Sequence, residues 1–348
     1  MKSKSGSSRR RSVLRYVLPA CAAALSAGAY LISRAPRRSI AGRVALITGG
    51  SRGLGLELAR TLARRGCRLI LVARNPEELS KVAEELKLRG AEVKTISCDL
   101  RNPGEISGMV ETARTAFGPI DILINSAGEI TVGPIDTFDE TEFVRAMDLM
   151  FWAGVRTTLA LLPEMSASGD ADIVNITSIG GKIAVPHLLP YVAAKFAMTG
   201  FSEGLQSELR GRGVHVLTVT PGLMRTGGHL NAEFTGDQVK EYRWFALGAT
   251  MPGVSMNVSR AAARIADALV QRKREIALTV SARAGASFYG AFPGAALKAL
   301  ELADQWILPE SNAQRTHKKG HQLQNAQPAT FKALTHLGFK AAESQNQL

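Results

Sequence analysis

Cysteine is scarce, with Cys21, Cys67 and Cys98 the only three in 348 residues. They fall at no metal-ligand spacing, and Cys67 and Cys98 stand in apolar, strand-like runs. That excludes a disulfide framework or a cysteine-based metal centre and fits buried reduced thiols. Acid is missing from one end of the chain and nearly so from the other. Residues 1–43 hold ten Lys/Arg and no Asp or Glu, and residues 311–348 hold five Lys/Arg and a single Glu. The net charge of +13 therefore belongs to the termini, since residues 44–310 carry 28 basic and 29 acidic groups. A nucleic-acid-binding body usually shows a basic face within the fold itself, so that class of partner is set aside. No internal repeat is present. With 45% hydrophobic and 21% charged residues, the chain has the makings of a globular core, as one large domain or two ordinary ones.

What is there begins with YVLPACAAALSAGAYLI, Tyr16–Ile32, an uncharged run of seventeen residues. As a helix it spans roughly 25 Å, the short limit for crossing a bilayer. Six Lys/Arg precede it and four follow, so charge does not fix an orientation. Residues 1–39 read as a membrane anchor, single-pass or lying in one leaflet, with a cleaved targeting peptide as the rival reading. From Arg43 the chain alternates apolar, β-branched runs with amphipathic stretches. Strand candidates are 43–48, 67–73, 91–99, 120–126, 171–178, 213–220 and 274–280, with helical patterns between them. Strands alternating with helices of this length predict an α/β fold, a doubly wound, mostly parallel sheet of about seven strands, over residues 40–282. Residues 283–310 form an apolar extension broken by Pro293, suited to capping the domain or lying on a membrane surface. Residues 311–348, rich in Gln, Asn, Ala and Lys without a period, are expected to be mostly disordered.

Two patterns carry chemistry. The first strand runs into TGGSRGLG, Thr48–Gly55, and then a helix. Glycines let a backbone approach a pyrophosphate closely, and a helix N-terminus favours its charge. In PYVAAKFAM, Tyr191 and Lys195 stand four apart, on one face of a helix. The cation is expected to favour ionisation of the phenol, making Tyr191 a proton donor and acceptor.

These residues resemble the short-chain dehydrogenase/reductase family. TGxxxGxG at 48–55, CDL at 98–100, NSAG at 125–128, Ser178, YxxxK at 191–195 and PGxxxT at 221–226 follow in the family's order, and Ser178 precedes Tyr191 by the family's common thirteen residues. The resemblance covers about residues 40–280. It implies a Rossmann fold, a nicotinamide cofactor and hydride exchange between a carbonyl and an alcohol. Ser178, Tyr191 and Lys195 would be catalytic. Thr48, Gly49, Ser51, Arg52, Gly53, Leu54, Gly55, Arg74, Asp99, Leu100, Asn125, Ala127, Gly128, Pro221, Gly222 and Thr226 would join Tyr191 and Lys195 in holding the cofactor, Asp99 at the adenine and Asn125 near its ribose. It also implies a homo-oligomer, dimer or tetramer; no metal site is expected. NAD sites place an acid by the ribose hydroxyls, whereas a basic group receives the 2′-phosphate of NADP. The second strand ends at Ala73 and Arg74 with no acid until Glu77, and Arg52 is a second cation, so NADP(H) is expected.

One family feature is missing. The fourth helix in many members carries an Asn whose backbone helps hold a water linked to the catalytic Lys. Here no Asn stands between Asn125 and Asn175, and Met150 takes the place. The apolar residues after PGLMRT (Leu230, Phe234, Tyr242, Trp244, Phe245, Leu247 and Met251) read as a lid over a lipophilic substrate, of steroid, ketoacyl or ketosphingoid type, or as internal packing. A non-catalytic, membrane-tethered NADP-binding sensor or scaffold is the alternative function.

Overall fold

The computed structural model describes residues 38–348. The apolar run Tyr16–Ile32, and with it the anchor reading, lies outside the described residues. Among the described residues no helix is long and apolar enough to cross a membrane.

Ile40–Leu348 form one compact unit. Its centre is a seven-stranded sheet of β1 (Val44–Thr48), β2 (Arg68–Ala73), β3 (Val93–Ser97), β4 (Ile122–Asn125), β5 (Ala171–Ile176), β6 (Val214–Thr220) and β7 (Glu275–Ala277). The spatial order is β7-β6-β5-β4-β1-β2-β3, and all neighbours are parallel. The seven strands are those read from the sequence, shortened at their ends. Strands such as β1 and β4 are buried along their whole length, because helices cover both faces. On one face α1 (Gly53–Ala63), α2 (Pro76–Leu88) and α8 (Val258–Val270) bury Leu56, Leu62, Leu79, Ile265 and Leu269. On the other, α3 (Pro103–Phe117), α5 (Ala153–Ser168) and α6 (Leu189–Leu209) bury Met109, Leu161, Met165 and Leu205. Chain order reverses between β1 and β4, so the crevice at their carboxyl ends is the switch point where such sheets bind ligands. Thr48 pairs there with Asn125, and the glycine-rich turn and the NSAG segment leave the sheet side by side.

Helix ends follow local chemistry. Asn75 caps α2 by accepting from the Glu77 and Glu78 N–H groups, and Asn102 caps α3 at Gly104, each followed by Pro at the first helical position. By contrast α1 begins after Arg52 with no side-chain cap and no acid in its first turn. The fourth helix, α4 (Glu140–Met147), passes through a π-turn at Asp148–Trp152 before continuing as α5. At that turn the Ala153 N–H reaches back five residues to the Asp148 carbonyl.

One expectation is corrected beyond the sheet, and one open alternative is narrowed. Residues 311–348 are not a disordered tail. They form a short strand, Lys318–Lys319, paired antiparallel with Glu233–Phe234, and three helices, α11 (Gly320–Asn325), α12 (Ala329–Leu334) and α13 (His336–Ser344). Two of its large apolar residues, Leu323 and Phe331, join Phe234, Tyr242 and Phe245 in a separate core, and the Tyr242 hydroxyl donates to Gln324 Oε1 at 2.6 Å. The lid reading weakens in the same way. Leu230, Phe234, Tyr242 and Phe245 are buried as packing between α7 (Gln238–Thr250) and the C-terminal helices, whereas Met251 is exposed. The extension breaks at Pro293 as expected, into α9 (Val280–Ala291) and α10 (Pro293–Trp306), which leave Phe292, Trp306 and Ile307 exposed.

Candidate active site

The turn between β1 and α1 can be made only by glycine at two points. Gly49 has φ +69°, and a Cβ there would fall 2.9 Å from the Ala127 backbone. A Cβ on Gly55 would lie 2.1 Å from the Gly49 carbonyl oxygen. Thr48 ties this turn to the neighbouring one, its buried hydroxyl accepting from the Ser126 and Ala127 N–H groups at 3.0 and 3.3 Å. A tight backbone cradle therefore meets the start of α1, which has no side-chain cap and whose helix dipole favours an anion. These residues fit the phosphates of a dinucleotide.

Across the crevice, β5 ends at Ile176 and Ser178 caps a 3₁₀ turn at Ile179–Gly181, its hydroxyl accepting from the Gly180 N–H at 3.0 Å. The same side chain hydrogen-bonds Tyr191. Capping the turn fixes the Ser178 hydroxyl beside the phenol. Tyr191 and Lys195 leave the first turns of α6 on one face, with the Lys195 Nζ 5.7 Å from the Tyr191 ring centre. Lys195 is buried and donates to the Ile176 carbonyl at 2.9 Å. Burial pushes its ammonium down to about 8. Burial likewise raises Tyr191 above an ordinary phenol, opposed by the bond from Ser178. The expected lowering of the Tyr191 pKa by Lys195 is therefore not seen: burial raises it, and the group that opposes burial is Ser178. A phenol held protonated is a donor.

Behind Lys195 lies a cavity of about 10 Å³, lined by Thr48, Asn125, Leu149, Met150, Ile176 and Lys195 among others. Asn125 points into the core rather than toward an adenosine. Its amide nitrogen donates to Asn175 Oδ1 at 2.9 Å, and its buried Oδ1 has no partner among the described residues. Met150 sits in the π-turn, 4% exposed, with its sulfur close to Gly128. It packs, as a thioether should.

The remaining predicted residues are scattered along the same edge. Arg74 is exposed beyond β2 and adds to the field that, with Arg101, holds Asp99 below the usual carboxylate range. Asp99 is clasped by Arg101 at 2.8 Å, a partner that sequence reasoning missed. Arg52 donates to Asn231 Oδ1 at 3.3 Å. The Pro221 carbonyl accepts from Ile179 at 2.7 Å, which locks the PG turn to the Ser178 turn. Gly222 leaves no room for a side chain beside Thr279, and the Thr226 hydroxyl accepts from the Gly228 N–H.

Two more groups were missed. Glu78, on the first turn of α2, reaches back to accept from the buried Ser51 hydroxyl at 2.8 Å. The acid absent from the end of β2 is thus supplied one turn later. His187, in the loop between Ser178 and Tyr191, has φ +60°. Its ring lies 2.7 Å from the buried Glu241 carboxylate of α7, whose other oxygen accepts from Trp244 Nε1 at 2.6 Å. A histidine four residues before the tyrosine was the only visible signal.

A glycine-rich turn thus lies at the switch point of the parallel sheet, with Ser178, Tyr191 and Lys195 grouped across the crevice. The profile described as short chain dehydrogenase matches residues 43–234, and the chain belongs to that family. It is 36% identical over 200 residues to a dehydrogenase/reductase SDR family protein 7-like of Anopheles gambiae, covering 56% of this chain and 63% of that one. To the ketoacyl reductase HetN of a Nostoc strain it is 33% identical over 190 residues, covering 55% and 66%. The chain thus spans slightly under two thirds of the length of these relatives. Among solved structures it resembles L-sorbose reductase from Gluconobacter frateurii, complexed with NADPH and L-sorbose, at 26% identity and TM-score 0.62, over 70% of this chain and 97% of that one.

Proposed function

We propose that this protein is an NADP(H)-dependent oxidoreductase that exchanges hydride between a nicotinamide and the carbonyl or secondary alcohol of a lipophilic substrate, of ketoacyl type. The observation that carries it is the meeting of Ser178, Tyr191 and Lys195 opposite the glycine cradle. The nicotinamide supplies or takes the hydride, and the chain's own groups manage the oxygen. Charge building on that oxygen is met by the Ser178 hydroxyl and protonated by Tyr191, a general acid contributing roughly 10²–10⁴-fold. Lys195, charged at pH 7 with its pKa near 8, stabilises the tyrosinate left behind. The small cavity beside it is just large enough for one water, between the Lys195 ammonium and the open Asn125 oxygen, so a relay needs no polar side chain at position 150.

Arg74 and Arg52 support the choice of NADP(H), and Glu78 opposes it through Ser51. A charge-assisted bond to the 2′-phosphate is worth roughly 1.5–3 kcal/mol, less when exposed, so NADPH should be preferred about tenfold or more. Arg74→Asp should erode or reverse that ratio. Equal binding of NADPH and NADH by wild type would remove the charge argument. The ketoacyl reductase among the relatives supports an acyl substrate, as do Leu223, Met251 and Val254, exposed on the segment after β6. Turnover of ketoacyl esters but not of small sugars, in a panel with ketosteroids and ketosphingoid bases, tests it.

Two further readings belong to this proposal. Residues 1–38 tether the domain to a membrane through Tyr16–Ile32; recovery of the intact chain in the soluble fraction of a lysate would contradict that. The chain assembles with copies of itself over the α4–α5 face, where Val144, Trp152 and Leu159 are exposed. A monomeric mass by light scattering would contradict this assembly.

A further inference from the structure

The start of α1 lacks a side-chain cap, yet its first N–H is not free. The Gly53 N–H donates to the Gln345 carbonyl at 2.9 Å. Around that bond residues 344–347 are each held by a hydrogen bond. The Ser344 carbonyl accepts from Arg60 at 2.8 Å, and the Gln345 side chain donates to Glu57 at 3.2 Å. Asn346, at φ +55°, donates through its side chain to the Ser51 carbonyl at 3.1 Å. The Asn231 amide donates to both the main-chain and the side-chain oxygen of Gln347, each at 2.7 Å. The position a Cβ on Gly53 would take is 2.8 Å from Gln347 Nε2 and 4.0 Å from Thr226 Cβ. Gln347 therefore lies between the glycine-rich turn and the PGxxxT segment, the two elements that flank a dinucleotide's phosphates in the family assigned above.

We infer that the C-terminal segment Ser344–Leu348 is an autoinhibitory plug, which occupies the phosphate-binding turn of the nucleotide site and must leave before the cofactor seats. It mimics the ligand chemically: a carbonyl oxygen takes the helix N-terminal N–H that a phosphate oxygen would take. The anchoring is polar and local, and Leu348 is left exposed, so release strips few apolar contacts. Upstream, α13 packs on Gly227, whose added Cβ would touch Ala342 at 2.4 Å, and α11 and α12 join the core of α7. The plug thus continues a strap, α11 to α13, that packs on α7 and Gly227, and its departure leaves that strap in place.

The inference rests on the dinucleotide reading of the site, and the test separates the two. Affinity for NADPH and for NADH is measured by nicotinamide fluorescence with the full chain, with a chain ending at Glu343, and with Asn346→Ala/Gln347→Ala in the full-length chain. If the plug is docked in about nine molecules of ten, truncation tightens binding roughly tenfold, and the double variant tightens it by a smaller factor. The double variant keeps the test available should the shortened chain fold poorly. In a second readout, carboxypeptidase digestion beyond Gln347 should accelerate when the full chain is saturated with NADPH. Unchanged or weaker binding by both altered chains, or protection of the C-terminus by NADPH, would overturn the plug. Absence of binding by all three chains would overturn the nucleotide reading, and the plug with it.

Discussion

Lys195 provides the sharpest quantitative expectation, because its position costs stability that its role requires. The side chain is 5% exposed, and its ammonium donates a hydrogen bond to the Ile176 carbonyl. Burial lowers its pKa from 10.5 to about 8. At about 1.36 kcal/mol per unit, the charged form carries a penalty of about 3 kcal/mol at pH 7. Lys195→Met keeps most of the volume and removes the charge. Loss of the bond to Ile176 offsets about 1.5 kcal/mol, so the variant should be more stable than wild type at pH 7 by roughly 1–2 kcal/mol while losing turnover. The sign of the pH dependence follows from the lowered pKa. The unfolded chain keeps its proton up to 10.5, whereas the folded chain releases it near 8. The contribution of Lys195 to wild-type stability is therefore complete above 10.5 and is lost as pH falls toward 8. The variant's advantage should be constant below pH 8, shrink between 8 and 10.5, and vanish or reverse above. Urea unfolding of cofactor-free wild type and variant at pH 7, 8, 9 and 10.5 measures it. A variant less stable at pH 7, or a difference independent of pH, would refute the claim that desolvation dominates at this lysine.

Met150→Leu should change unfolding free energy by less than about 1.5 kcal/mol and turnover by less than about tenfold, because the thioether only packs; a collapse of turnover at unchanged stability would reveal a chemical role. His229, buried against Tyr242 and beside the C-terminal helices, has its pKa lowered by burial to about 4. Its contribution is thus present above the unfolded value of about 6.5 and lost as pH falls toward 4. His229→Gln should flatten the loss of thermal stability over that window, and an unaltered acid limb would contradict it.

The sheet was legible because the central strands are apolar and β-branched for most of their length, and β1 and β4 admit no polar side chain until Thr48 and Asn125. The glycine cradle was legible for a comparable reason, since Gly49 and Gly55 answer to a backbone approach that no other residue allows. Ser178, Tyr191 and Lys195 could be found by spacing. What stayed hidden depends on tertiary reach. Glu78 looks like an ordinary first-turn acid until α2 is laid beside the Ser51 turn, and Arg101 becomes a partner of Asp99 only through the bend after β3. The C-terminal helices bury Leu323, Phe331 and Ala342 one at a time, too sparsely to produce a period. Tyr242 and Phe234 were visible as apolar, but whether they faced a substrate or Phe331 was decided by a segment nearly a hundred residues away. The π-turn at Asp148–Trp152 has no sequence signature at all.

The central claim is that Tyr191 is the proton donor, held by Ser178 and backed by Lys195. Single-turnover and steady-state rates of Tyr191→Phe, with a carbonyl substrate that wild type reduces, test it most directly when paired with cofactor affinity. Turnover should fall at least about 10²-fold, with the Kd for NADPH within a few-fold of wild type, because only the hydroxyl is removed. Turnover near the wild-type rate with cofactor bound would contradict the account.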